Sequence, residues 1–301
     1  MKRFIIDGFN LAYRSHFAFK DLSTSTGLFS GSIYGFLTTM RALKRRFPDF
    51  QFYVVWDNEP TTKKNAYAGY KANRIPFRVD FPIRDLKDIL KCVKVVQAEM
   101  ENEEADDVIA SVVRADGNMD YIYSSDKDLL QLVKDGSVVV ISPKVGRNEE
   151  KIYDEEAVRG KFGVGPKDLA RFLAFRGDTV DNIPGAVRVH SKVIASLCNK
   201  YGSVREIYEN LPGEALSDFQ RRSLTDFREQ ASVNFSLTAL NRDLFYKVTQ
   251  GSSKKEDLQK LLDKYEIRAL SSESYADLFD VDTSFLMREG PKLKTYSLFE
   301  E

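Results

Sequence analysis

Histidine and cysteine are nearly missing from this chain: only His16, His190, Cys92 and Cys198 occur in 301 residues. So few, set so far apart, exclude a Cys/His zinc site. The cysteines stand alone in apolar, helix-like stretches and read as reduced core residues of a cytoplasmic protein. No apolar run approaches the ~18 residues of a membrane span, so no membrane partner is expected. "MKRFIIDGFN" opens basic and then apolar, but Asp7 ends the run too early for a signal peptide. Internal repeats and long low-complexity linkers are also missing. Net charge is zero, 45 bases against 45 acids, whereas a protein that only grips phosphates is usually basic overall. The signs must therefore be judged by location.

What is present suits a sizeable core: 43% of residues are hydrophobic and 30% charged, enough for one large domain or two closely joined ones. Three short runs share a feature. "RFIID" ends in Asp7, "FYVVWD" in Asp57 and "YIYSSD" in Asp126. Each is rich in β-branched or aromatic residues, has strand length and precedes a stretch of helical periodicity; "SVVVIS" (Ser137–Ser142) has the same character without the acid. The alternation predicts an α/β fold with a mostly parallel central sheet flanked by helices. Aspartate after a strand is an ordinary turn residue. Three strands ending this way, however, bring three carboxylates to the sheet edge where such folds bind ligands.

More acids join them. "MENEEADDVIASVV" packs Glu101, Glu103, Glu104, Asp106 and Asp107 into a helix start, with Asn102 as the expected cap. Acids there complement the helix dipole, yet Glu104 and Asp107 are i,i+3 and share a face at a cost. "SSDKDLLQLV" places Asp126 and Asp128 at a helix start behind Ser125, and "FRGDTVDNIPG" sets Asp178 and Asp181 three apart. Two carboxylates ~6 Å apart repel by about 3 kcal/mol at an effective dielectric near 20. Acids gathered in one cavity must therefore stay protonated or be neutralised by cations. An all-oxygen donor set selects Mg²⁺, with Mn²⁺ as substitute, and a pair of such ions serves phosphoryl transfer. Counter-charge is at hand in Thr61–Arg84. There Lys63, Lys64, Lys71, Arg74, Arg78 and Arg84 face one acid, Asp80, with Tyr67, Tyr70, Phe77 and Phe81 interleaved. Bases grip phosphates and aromatics stack on unpaired nucleobases.

These stretches, with "IIDGFNLAYRS", "GSIYGFLTTM" and "AYAGYKANR", occur in an order and spacing that resembles the 5′-nuclease family. That family comprises the N-terminal 5′–3′ exonuclease domain of bacterial DNA polymerase I and the phage flap endonucleases. The resemblance runs from about residue 3 to 280. It implies a metal-dependent nuclease cutting branched or 5′-ended DNA near single-strand/duplex junctions, with RNA-primer removal and an RNA/DNA hybrid among the family roles. It implies Asp7, Asp57, Glu104, Asp106 and Asp107 as first-metal or shared ligands, Asp126 and Asp128 as completing the centre, and Asp178 and Asp181 as second-metal positions. Lys71 and Arg74 fall where the family aims cations at the scissile phosphate, within a helical arch. Lys63, Lys64 and Tyr70 are expected to contact DNA. On this reading residues 1–165 form the catalytic core with the arch at about 60–84. Residues 166–280 form a helical, helix–three-turn–helix DNA-binding region, and 281–301 a tail.

One departure matters. Where the family has a glycine hairpin, G-I-G-x-K, this chain has "RVHSK": Arg188 and His190 replace the glycines and Lys192 is kept. A non-glycine residue in the left-handed region costs roughly 1–2 kcal/mol, which weakens the case for backbone anchoring of a duplex and for K⁺ held there. Arg188, His190 and Lys192 are expected to reach phosphate through side chains instead. The tail, with Tyr296, Ser297, Leu298 and Phe299, resembles a peptide that binds bacterial sliding clamps, with threonine in place of its glutamine. The chain stops near the end of the family domain, so a stand-alone nuclease is expected. Two rivals are a PIN-type single-strand RNase, disfavoured by the basic segment and the Asp178/Asp181 pair, and an inactive DNA-binding module, disfavoured by the full set of acids.

Overall fold

The computed structural model describes residues 2–59, 61–73, 81–113, 119–144 and 149–279. Five strands run parallel: β1 (Lys2–Asp7), β2 (Gln51–Trp56), β3 (Val96–Glu99), β4 (Met119–Tyr123) and β5 (Val138–Ser142). Two antiparallel strands, β6 (Lys151–Tyr153) and β7 (Lys247–Gln250), close the edges, giving the order β6-β5-β4-β1-β2-β3-β7. From β1 the chain first builds outward through β2 and β3, then crosses to the other side for β4 and β5. The switch point lies between β1 and β4, where open parallel sheets leave a crevice at the strand ends.

The central strands are buried on both faces, as crossover helices require. On one face Phe4, Ile6, Phe52, Val54 and Trp56 pack under α1 (Gly8–Ala18) and α2 (Gly31–Arg46). Ile5, Val55, Ile122 and Val140 point to the other face. Trp56 is fully buried and its indole N–H donates to Gln97 at 2.9 Å. Gly8 lets α1 leave β1 at once, since a Cβ there would stand 2.5 Å from the Trp56 ring. After the short α3 (Thr61–Ala66), α4 (Ile83–Lys91) covers the first face and α5 (Ala105–Val112) the second.

Helices α6 (Glu155–Phe162), α7 (Pro166–Arg176), α8 (Ser191–Lys200), α9 (Val204–Asn210), α10 (Asp218–Asp226) and α11 (Arg228–Thr238) extend the second-face core. The sequence leads one to expect a helical region from 166 to 280. Instead β7 pairs with β3, and α12 (Lys255–Lys264) and α13 (Ser272–Leu278) pack on the first face with α2 and α4. The reason is apolar surface: Leu258, Leu262, Tyr275 and Phe279 are buried there, each worth roughly 1.5–3 kcal/mol relative to exposure. Among the described residues no helix is long and apolar enough to cross a membrane. Both cysteines are free and buried.

Candidate metal centre

Parallel register carries the acids to one edge. Asp7 ends β1 beside Val55, so Asp57 emerges just past the same level on β2. Glu104 and Asp106 open α5 after β3, and Asp126 follows β4. Together with Asn10, Lys64 and Lys71 these five acids line one open cavity of about 680 Å³. Four of them are held alike, each accepting a backbone amide on one oxygen. Asp7 caps α1 through Asn10 N at 3.0 Å, and Asp57 receives Ala105 N at 3.0 Å. Asp106 receives Asp107 N at 2.8 Å, and Asp126 receives Asp128 N at 2.9 Å. Ser124 adds a bond of 2.8 Å to the second oxygen of Asp7.

Local structure departs from expectation in two places. Asn102 does not cap α5. It adopts φ 65°, Glu104 takes the N-cap position, and the Asp57 side chain supplies the amide's acceptor from across the crevice. No α-helix starts at Asp126: Asp128–Leu132 is one short 3₁₀ turn whose first amide donates to the Asp126 carboxylate, while Ser125 pairs with Asn10. Asp178 and Asp181 lie in a tight turn, as the Asp, Asn, Pro and Gly of "GDTVDNIPG" allow. Asp178 bridges Ile183 backbone to backbone, and Gly177 (φ 75°) meets Gly185 where a Cβ would stand 2.5 Å from its nitrogen.

The electrostatics follow from crowding. Burial first, then Asp57, lifts Asp7 to about 7, and burial with Asp126 does the same to Asp128. Burial also raises Asp57 and, well above the carboxylate range, Asp106, with Glu104 adding to both. Glu104 goes the other way. Burial would raise it, but Lys63 and Lys71 outweigh that and hold it at about 2. Tyr70 donates its hydroxyl to the same carboxylate at 2.8 Å, and Lys71 pairs with it directly. The oxygens of Glu104, Asp106 and Asp107 come within 4.8 Å of one another.

Asp107, Asp178 and Asp181 are not part of the cavity's lining. Asp107 is buried and accepts Asn241 N at 2.7 Å, facing the segment after α11. Asp178 pairs with Lys127, and burial notwithstanding, that bond and the Val180 amide hold it low. Asp181 stands beside Lys71, whose amide donates to its carbonyl at 2.9 Å. Asn182 and Asn73 complete the stitching of this turn to residues 69–73, through Gly69 O at 2.7 Å and Thr179 O at 3.0 Å.

Two of the residues expected to contact DNA are buried. Tyr70 is 3% exposed, packed with Ile183 and Leu237, and Lys63 is 8% exposed among Glu104, Asp106 and Asp107. Neither side chain is presented to a strand at the surface, because the acids draw both polar ends inward. Lys64 does remain at the rim, 3.1 Å from Glu59. Arg188 is exposed, with φ 53° and its guanidinium over the Phe219 ring at 5.8 Å, and Lys192 is exposed at the start of α8, its amide donating to His190. Arg74, Leu298 and Phe299 lie outside the described residues. Sequence reading missed Asn10, Ser124, Lys127 and Asn241. The first two sit inside "DGFN" and "YSSD" next to acids of the centre, whereas nothing local marks Asn241.

Residues 2–163 match the family described as 5′-3′ exonuclease, N-terminal resolvase-like domain, and residues 164–261 match its C-terminal SAM fold. The chain is 36% identical to a 5′-3′ exonuclease of Aquifex aeolicus, over 90% of this chain and 94% of that one. It is 32% identical to DNA polymerase I of Pseudomonas aeruginosa, over 80% of this chain but 27% of the polymerase. Among solved structures, a bacteriophage T5 flap endonuclease with DNA and metal ions has a TM-score of 0.65 at 18% identity, covering 93% of this chain and 100% of that one.

Proposed function

The chain belongs to the 5′-3′ exonuclease family, and on that premise we propose that it hydrolyses phosphodiester bonds of DNA at 5′ ends and flaps, using divalent ions. The observation that carries this is the convergence of Asp7, Asp57, Glu104, Asp106 and Asp126 on one cavity, where burial and mutual repulsion lift Asp7, Asp57 and Asp106. Such a centre holds more negative charge than its lysines offset, and added cations relieve it. The donors are all oxygen, which fits Mg²⁺, with Mn²⁺ in its place. Asp7, Asp57, Asp106 and Asp126 would hold a first ion, and Asp128 with Asp178 and Asp181 would serve a second. When bound, such ions activate water and neutralise the phosphate.

The chain's own residues supply the rest. Amide bonds to Asp7, Asp57, Asp106 and Asp126 fix their orientation before any ion arrives. Lys71, at the cavity wall, is the residue for the scissile phosphate, with Arg74 beside it in sequence, and Lys64 offers charge at the rim. Arg188 and Lys192 suit a duplex backbone on the helical side. The left-handed backbone of Arg188 keeps a hairpin turn without glycine; K⁺ is not part of this reading. The tail residues Leu298 and Phe299 would engage a sliding clamp, and removing residues 294–301 should then abolish clamp pull-down.

The deciding experiment incubates the protein with 5′-flap, nicked and RNA/DNA hybrid substrates, with Mg²⁺ or with chelator, and maps the products. Metal-dependent cutting is expected, lost in Asp106→Ala and Asp126→Ala while DNA binding persists. Full cutting by either variant would refute the ligand assignment.

A further inference from the structure

Lys63 is the least expected feature of the centre. It sits on the short helix α3, in a stretch whose lysines the sequence directs at DNA, yet its side chain is 9% exposed. Its ammonium lies 2.9 Å from Glu104, 2.7 Å from Asp107 and 3.7 Å from Asp106. These are the same three carboxylates whose oxygens converge within 4.8 Å. A buried ammonium is expensive unless paired, and so are the buried Glu104 and Asp107 with the half-buried Asp106 beside them. Each side of this arrangement needs the other. The acids cannot easily turn away, because Asp107 is tied to Asn241 N at 2.7 Å and Asp106 to the amide of Asp107 at 2.8 Å.

Glu104 makes the consequence plain. Its Oε2 is taken by Lys63 and by the Tyr70 hydroxyl, and its Oε1 by Lys71. Lys71 lines the open cavity, whereas Lys63 does not. Lys71 is thus placed to exchange with incoming ligands, and Lys63 is enclosed.

We propose that Lys63 is a resident cation of this centre: its ammonium sits between Glu104 and Asp107 in place of a divalent ion and so confines the first ion to the side formed by Asp7, Asp57, Asp106 and Asp126. Lys63 is a positioning residue, since it touches acids and no substrate. The inference rests on the metal-dependent reading above, and its test keeps the two apart.

The full chain, stripped of metal by chelator and dialysis, is compared as wild type, Lys63→Met and Lys63→Arg. Bound Mn²⁺ is counted by following the free ion's paramagnetic signal, and melting is recorded with and without Mn²⁺. Lys63→Met should bind one ion more than wild type. Without metal it should melt about 5–10 °C lower, as loss of a buried ion-pair partner implies, and saturating Mn²⁺ should close most of that gap. Lys63→Arg, which keeps the charge, should retain the wild-type count. Should Lys63→Met fail to fold without metal, recovery on adding Mn²⁺ supports the assignment and lack of recovery overturns it. An unchanged ion count with an unchanged response of melting to Mn²⁺ also overturns it. A wild type that binds no Mn²⁺ at all would remove the metal reading and this inference together.

Discussion

Lys71 holds Glu104 with its ammonium while its own backbone stands in the left-handed region, φ 55°. A non-glycine residue in that region is strained, and the strain is offset by the bond from its amide to Asp181 O at 2.9 Å and by the ring of Tyr70, 4.9 Å from the ammonium. The arrangement stores a cation next to the cavity without burying it fully. A phosphate entering the cavity competes with Glu104 for that ammonium.

Lys71→Ala should therefore lower kcat on a 5′-flap substrate by about 10²–10³, the usual cost of one charge-stabilising donor. Affinity for metal should not fall, because the substitution frees Glu104 rather than removing a donor oxygen. Steady-state rates alongside Mn²⁺ titration separate the two effects. A kcat within about threefold of wild type would remove Lys71 from the chemistry.

The pH dependence of the metal-free protein follows from the raised acids. Asp7 and Asp128 stand at about 7, against 3.8 as the ordinary value. Between those limits the folded state keeps protons that the unfolded chain has released, so lowering the pH favours folding. The penalty is fully present above about 7. Glu104, held at about 2, acts in the opposite sense, but only below its ordinary value of 4.5. In chelator the melting temperature should accordingly rise as pH is brought from 8 to 5.5. Mg²⁺ should stabilise more at pH 8, where ion binding has fewer protons to displace. Equal stabilisation by Mg²⁺ at both values would contradict the assignment of Asp7 to the centre.

Ser124 offers a test of the supports. Its hydroxyl donates to Asp7 at 2.8 Å and accepts the amide of Asp126 at 3.1 Å, so one small residue orients acids from two strands. Ser124→Ala should cost about 1 kcal/mol of stability and raise the Mg²⁺ concentration for half-maximal cutting by about tenfold. Restored rates at saturating Mg²⁺ would place the defect in ion binding. Unchanged Mg²⁺ dependence would show that the amides alone suffice.

Asp7 and Asp57 were legible in the sequence because strand periodicity fixes where a chain emerges from a parallel sheet, and register does the rest. Glu104 and Asp106 were legible for a related reason: like charge at a helix start needs an explanation. Direction was not legible. Asp106 and Asp107 are adjacent, yet one lines the cavity and the other turns to Asn241. Lys63 and Tyr70 read as surface groups because composition cannot say which side of a six-residue helix or a turn will meet the acids. The return of β7 to the sheet edge was hidden as well. "KVTQ" is short, polar and mostly exposed, and its pairing with β3 is decided by distant contacts rather than by its own pattern.

Arg188 is where the fold and the proposed duplex contact meet most directly. At φ 53° it occupies a left-handed position without being glycine, at a cost of roughly 1–2 kcal/mol. Its neighbours hold it there: the guanidinium lies over Phe219 at 5.8 Å, and Ser223 donates to the Val187 carbonyl at 2.7 Å. The strain at this exposed position is what the proposed phosphate contact would account for. Arg188→Gly separates the two effects, since it relieves the backbone and deletes the cation. It should leave stability equal or higher by up to about 1 kcal/mol. Duplex affinity should fall, and the slope of log affinity against log salt should drop by about one ion. Lys192→Ala should produce the same loss of slope without the gain in stability. Melting curves and fluorescence titrations at several salt concentrations measure both quantities. Duplex binding that keeps its full slope in the double variant would show that the hairpin does not touch the backbone, and the left-handed arginine would need another cause.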